Sequence, residues 1–291
     1  MNDNLKFENG ASRNYTTDGI TSNVRATIDK KKILTTDELS SSLSTFDPTT
    51  LSANSMILVQ SQRRSGKTTL VESMIHEYRK KNKVDLVVLY SKSNAGFKQI
   101  PQKYRFRTLD TLPQLVDTQL QVKKANTKRK NEMINSNIIV IIDDFIDGSK
   151  TDVRRSDLLI KMSTMGRHLS HNEHSNMMVI FLSQLMTAIP PVMRRNMDYI
   201  ITFKIASRVE RKSVTEEFLT LKSGRGGLSE AYNLFDVVNS DDYLALVINA
   251  TKSNKYNYSD YVFKYIANPK LPNERWSGNN RDFETPLKIY F

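Results

Sequence analysis

Met56-Ile57-Leu58-Val59-Gln60-Ser61-Gln62-Arg63-Arg64-Ser65-Gly66-Lys67-Thr68-Thr69-Leu70 decides how this chain is read. An apolar run enters a polar loop, and the loop ends in Gly66-Lys67-Thr68-Thr69 where a helical pattern begins. The order strand, loop, helix predicts a phosphate-binding loop. N–H groups at a helix N-terminus face an anion, and the helix dipole favours negative charge there. Ser61, Gln62, Arg63, Arg64, Ser65, Gly66, Lys67, Thr68 and Thr69 form the expected nucleotide-binding set. Within it, Lys67 would reach the β- and γ-phosphates of ATP and the Thr68 hydroxyl would ligate Mg²⁺. The pattern G-x-x-x-x-G-K-[ST] has glycine where Ser61 stands. Glycine takes positive φ at little steric cost and serine does so less easily, so Ser61 is expected to make this turn harder. A solvated turn opening an ordinary helix is the plainer alternative, and the flanking strand and helix weigh against it.

Downstream, Val71, Met74, Ile75 and Tyr78 recur at i, i+3, i+4 and i+7, giving the helix after the loop one apolar face. The helix fades into Arg79-Lys80-Lys81, cations suited to its C-terminal dipole. Val84–Tyr90 is a nearly continuous apolar run, as in strands covered on both faces of a parallel sheet. Ile138–Ile142 is another, and it ends in two carboxylates, Asp143 and Asp144. Ligands of open α/β sheets lie beyond the carboxyl ends of the strands. Beside a phosphate loop, Asp143 is expected to hold the Mg²⁺ shell and Asp144 to polarise the attacking water. Met177–Leu182 is a third such strand, closed by Ser183-Gln184, and Gln184 is placed to sense the γ-phosphate. Tyr199–Phe203, Tyr243–Ile248 and Tyr261–Ile266 read as further strands, Tyr104–Thr108 as a short edge strand, and Asp157–Met165 as a helix. The reading is an α/β domain over 51–267 with a mainly parallel sheet flanked by helices. A flexible arm is expected over 1–50 and an irregular surface tail over 268–291.

Lys and Arg outnumber Asp and Glu by 43 to 31, a net charge of +12, which suits a polyanionic partner such as nucleic acid. There is no cysteine, so disulfides and thiolate metal sites are excluded. No apolar run approaches the length of a membrane span, and Met1–Gly10 is too polar for a signal peptide. A soluble, intracellular protein without a membrane partner is expected. His168, His171 and His174 with Glu173 lack a second cluster to complete a tetrahedral site, and read as structural or solvated. Lys123, Lys124, Lys128, Arg129 and Lys130 read first as a solvated face and second as a DNA contact. Gly224–Gly227 is a turn, since no strand precedes it and no Lys-Ser/Thr follows.

Ser65-Gly66-Lys67-Thr68, Ile138–Asp144, Thr164-Met165-Gly166-Arg167-His168 and Val179-Ile180-Phe181-Leu182-Ser183-Gln184 occur in an order that resembles the FtsK–HerA superfamily of DNA-pumping ATPases. Within it the chain is similar to the genome-packaging ATPases of poxviruses and other double-stranded DNA viruses of eukaryotes. Ile189-Pro190, Arg194 and Asp198–Phe203 continue the likeness, which covers about residues 54–205. The resemblance implies a P-loop NTPase of the RecA/ASCE-like kind, a homo-oligomeric ring threading double-stranded DNA, and Mg²⁺-dependent ATP hydrolysis between subunits. It also implies capsid or vertex proteins as partners and a virion or virus assembly site, in cytoplasm or nucleus, as the place of action. A neighbouring subunit would supply an arginine finger, with Arg194 or Arg195 the first candidates and Arg167 the next. Asp144 stands where many relatives have Glu. Two other readings are a helicase or recombination ATPase on the same core, and a non-hydrolysing DNA-binding capsid scaffold that would follow from a damaged loop at Ser61.

Overall fold

The computed structural model describes residues 35–93, 96–129, 133–143, 145, 157–170, 174–205, 207–219, 227–238, 243–252, 257–272, 274 and 276. Its elements, in chain order, begin with α1 (Thr36–Ser42), β1 (Met56–Gln60), α2 (Lys67–Arg79), β2 (Leu86–Ser91), β3 (Arg105–Phe106) and α3 (Leu112–Lys128). They continue with β4 (Ser136–Asp143), α4 (Asp157–Met165), β5 (Ser175–Ser183), α5 (Pro191–Arg194) and β6 (Tyr199–Thr202). The last are α6 (Arg208–Val214), α7 (Gly227–Val237), β7 (Leu244–Asn249) and β8 (Val262–Ile266).

One sheet of eight strands runs in the order β3-β2-β4-β5-β1-β6-β7-β8. All neighbours from β3 to β6 are parallel, and β7 and β8 join antiparallel. β1, β2, β4 and β5 are buried along their whole length, as expected of apolar runs covered by helices on both faces. β5, which ends one residue before Gln184, lies between the loop strand and the acidic strand. Its register sets Gln60 opposite Ser183 on one side and Asp143 opposite Leu182 on the other. Three functional segments therefore leave the same edge of the sheet side by side. The fold is the α/β P-loop NTPase expected from the sequence.

The other edge of the sheet is closed by buried carboxylates. Asp198 Oδ2 accepts the Met56 N–H at 2.8 Å, and Asp85 Oδ2 accepts the Asn137 N–H at 2.8 Å, so each ties two neighbouring strands at their start. Gly166 packs there too. A Cβ on it would lie 1.9 Å from Met56 Cε, so a larger residue in the Gly-Arg-His segment would have to displace the end of the Met56 side chain under β1.

Several elements were not legible in the sequence. Residues 35–50 fall in the stretch expected as an arm, yet they form α1 behind a Thr35–Glu38 capping box and bury Leu39, Leu43 and Phe46. Thr45 bridges Lys264 of β8. α7 was not anticipated, and Lys123, Lys124 and Lys128 of the basic group fall on α3. The tail expected as irregular surface carries a buried residue. Trp276 is 2% exposed and its backbone N–H donates to the Gln99 carbonyl at 2.9 Å. Residues 1–34 lie outside the described residues, as do Asp144, His171, Glu173 and Gly224–Arg225-Gly226.

Candidate functional site

The phosphate loop is built by two backbone choices. Arg64 sits at φ +61° and Gly66 at φ +92°, and these two left-handed residues turn the chain into the first turn of α2. Ser61 is not among the residues with positive φ. It continues β1, its N–H donating to the Ser183 carbonyl at 3.0 Å, and it is 1% exposed. The strain expected of serine at this position is absent, because the left-handed turns fall at Arg64 and Gly66. The Ser61 hydroxyl instead meets the Ser65 hydroxyl across the loop.

Lys67 folds over the loop. Its Nζ donates to the carbonyls of Ser61 at 2.6 Å and Gln62 at 2.9 Å. A cleft of about 670 Å³ opens above, lined by Arg63, Arg64, Ser65, Gly66, Lys67, Thr68, Thr69, Ser93, Gly96, Asp143, Gln184 and Tyr243. Seven of the nine residues expected to bind nucleotide, and both Asp143 and Gln184, meet in this one space. Ser61 and Gln62 are absent from its lining and contribute through their carbonyls.

Asp143, 7% exposed, is fixed by a hydrogen bond from Ser91 Oγ at 3.1 Å, its register partner on β2. A carboxylate and a threonine hydroxyl facing one polar cleft suit Mg²⁺, which keeps several waters and takes one or two protein oxygens beside phosphate oxygens. Among the described residues there is no cluster of three or more His, Cys, Asp or Glu that would suggest a different metal site.

The loop after β2 was not recognised as part of the site. Gly96, at φ +75°, approaches so closely that a Cβ would lie 2.6 Å from Thr68 Cγ2. Arg105 donates to the Gly96 and Phe97 carbonyls, and Glu72 on α2 accepts from the Phe97 backbone. Burial is the main cause pushing the Glu72 carboxyl above its ordinary range, with the Phe97 hydrogen bond and Arg105 opposing it. Glu210 was missed as well. It is 4% exposed and accepts from Met186 N–H and, at 2.7 Å, from Thr187 Oγ1, so it fixes the segment that follows Gln184. No motif marks a lone glutamate on α6, and only the fold brings it there.

Neither Arg194 nor Arg195, the first candidates to serve a neighbour's site, is among the residues lining this cleft. Arg194 is engaged within its own chain: Nε pairs with Glu217 at 2.6 Å and Nη1 donates to the Ile189 carbonyl at 2.7 Å. Arg195 is exposed and lines a second recess with Met56, His168, Asp198, Glu217 and Thr251. Met56 is the first residue of β1, so this recess lies at the opposite edge of the sheet from the phosphate loop. Arg167 falls in the short helix Gly166–Leu169, and its side chain lies outside the described residues. Of the basic group on α3, Lys123 donates to the His168 carbonyl at 2.6 Å. No helix among the described residues is long and apolar enough to cross a membrane.

Fold and site together define a P-loop ATPase in which β5 separates the loop strand from the acidic strand. The chain belongs to the poxvirus A32 protein family, whose sequence pattern matches residues 44–266. No curated protein matches it in sequence. Among solved structures, it is similar to the genome packaging NTPase B204 of Sulfolobus turreted icosahedral virus 2 in complex with AMPPCP. The identity is 15% and the TM-score 0.50, over 76% of this chain and 100% of that one. The pCW3 conjugation coupling protein TcpA with ATPγS is also similar, at 14% identity and TM-score 0.47, over 83% of this chain and 67% of that one. At these identities the likeness is one of fold.

Proposed function

We propose that this protein is the ATP-driven motor that packages a viral double-stranded DNA genome, hydrolysing ATP with Mg²⁺ at the interfaces of a homo-oligomeric ring. The observation that carries the reading is the meeting of Lys67, Thr68, Asp143 and Gln184 in one cleft of a chain of the A32 family. Arg63 to Thr69 bind the triphosphate through loop N–H groups and cationic side chains. Thr68 and Asp143 are the residues that hold Mg²⁺, which when bound neutralises charge on the phosphates. Gln184 reaches the γ-phosphate between them, and Asp144 orients and activates the attacking water.

Arg195 is the arginine finger in this reading. It is exposed, it has no side-chain partner among the described residues, and it lies at the far edge of the sheet from its own phosphate loop. It therefore serves a neighbour's site and not its own. Arg194, already paired with Glu217, positions the segment that carries it. The net charge of +12 supports a DNA substrate, and the A32 family supports action at a virus assembly site, with capsid or vertex proteins as docking partners. The absence of strain at Ser61 removes the reason for a non-hydrolysing scaffold.

The test is Mg²⁺-dependent ATP hydrolysis by the full chain with and without DNA. Stimulation by double-stranded DNA, lost in Lys67→Ala and in Asp144→Asn, is the expected result. Preferential stimulation by single strands would point to a helicase instead. An Asp144→Asn variant as active as wild type would remove Asp144 from the chemistry.

A further inference from the structure

We infer that Tyr243 is the platform on which the nucleobase of the bound nucleotide stacks. The inference rests on the nucleotide-binding reading of the cleft and adds the subsite that reading leaves open. Sheet order sets the direction of the ligand. Asp143 and Gln184 lie on the β4 and β5 side of the phosphate loop, so the terminal phosphate faces that way. The opposite flank of β1 is formed by β6 and then β7, and Tyr243 is the residue just before β7. The base, carried at the other end of the nucleotide, projects toward Tyr243.

The side chain suits a flat apolar ligand. Among the described residues, the rest of the cleft is lined by charged, hydroxyl, amide and glycine residues, and Tyr243 is the one aromatic face in it. Its ring touches the phosphate loop, since a Cβ on Gly66 would lie 3.2 Å from Tyr243 Cδ1. The residue is 41% exposed and, among the described residues, has neither a ring partner nor a hydrogen bond to its hydroxyl. Its backbone is held at φ +63°, a conformation that bulky residues rarely adopt and that persists where surrounding structure enforces it. Here the Tyr243 carbonyl accepts the Ala267 N–H at 3.2 Å, next to the end of β8. An ordinary strand-end tyrosine needs neither the unusual backbone nor the contact with Gly66. Both turn the ring toward the cleft, where stacking is sequence-tolerant and independent of the phosphate contacts.

The experiment compares equilibrium binding of Mg–ATP and of inorganic tripolyphosphate to the full chain. Asparagine tolerates left-handed φ, so Tyr243→Asn removes the ring without adding backbone strain. The expected result is ATP binding weakened roughly tenfold in Tyr243→Asn, with tripolyphosphate binding unchanged and Tyr243→Phe close to wild type. If Tyr243→Asn binds ATP as tightly as wild type, the inference is overturned. Equal loss of both ligands also overturns it, because the ring would then be shaping the phosphate loop. If the wild-type chain binds neither ligand while Lys67→Ala behaves identically, the nucleotide-binding reading fails and the inference with it.

Discussion

The Lys67 ammonium donates to the Ser61 carbonyl across 2.6 Å, and the Ser61 N–H donates to the Ser183 carbonyl across 3.0 Å. The lysine that would bind phosphate is thus anchored to the strand pair β1–β5, at the residue where the motif departs from its usual glycine. Because Ser61 has no left-handed backbone to relieve, Ser61→Gly should leave nucleotide affinity within about threefold of wild type. It should lower stability by about 0.5–1 kcal/mol, through the greater freedom of the unfolded chain. Titration with a fluorescent ATP analogue and a denaturation curve measure the two effects. A gain of tenfold or more in affinity would show that serine strains the loop after all.

Gly96 is the tightest point of the site. Alanine there meets both a left-handed backbone and the Thr68 methyl, whose hydroxyl is the Mg²⁺ ligand proposed above. Gly96→Ala should cost about 1–2 kcal/mol of stability from the backbone alone. Displacing Thr68 should also reduce hydrolysis by roughly tenfold or more, since small misplacements near the reacting groups are expensive. Thermal unfolding and steady-state hydrolysis across a Mg²⁺ titration would show it. A variant with normal Mg²⁺ dependence would mean that the loop after β2 yields and Thr68 does not.

Glu72 gives the supporting loop a pH signature. Burial raises its carboxyl above the ordinary value of 4.5, so the folded chain retains a proton that the unfolded chain has released. Stability from this group is therefore highest below pH 4.5 and falls as pH rises through the folded value. Glu72→Gln, which keeps an acceptor for the Phe97 N–H, should remove that decline. The stability of wild type relative to the variant, measured by denaturant titration from pH 4 to 7, should then fall with increasing pH in the window above 4.5. A constant difference would place Glu72 in solvent.

The sheet core was legible because its strands are long apolar runs with polar ends: 56–60, 138–142 and 177–182 each coincide with a buried strand. The loop and its two partner strands were legible because local chemistry repeats the order of the motif. What sequence did not reveal comes from contacts between distant segments. Gly96, Glu210 and Tyr243 carry no local pattern, yet each touches the phosphate loop, its helix or the segment after Gln184. α1 and Trp276 were hidden for the opposite reason. Each buries a few apolar residues within a polar stretch, and composition averages them away.

Arg194 and Arg195 are adjacent in sequence and opposite in circumstance, so substituting each separates structure from catalysis. Arg194 and Glu217 are 14% and 21% exposed, and Arg194→Ala would strip the carboxylate and two backbone carbonyls of their donor. About 2 kcal/mol of stability should be lost. Arg195→Ala should change stability by less than about 0.5 kcal/mol, as exposed substitutions commonly do. It should nevertheless reduce DNA-stimulated hydrolysis by roughly 10³-fold, the scale of a missing arginine finger. Mixing decides whether the arginine acts on a neighbour. Lys67→Ala subunits still carry Arg195, and Arg195→Ala subunits still carry Lys67, so a mixed ring contains interfaces with both groups intact. Hydrolysis should rise well above that of either variant alone when the two are combined and allowed to exchange. If the mixture stays as inactive as its components in assemblies shown by light scattering to contain both, Arg195 does not complete a neighbour's site, and the finger must be sought at Arg167.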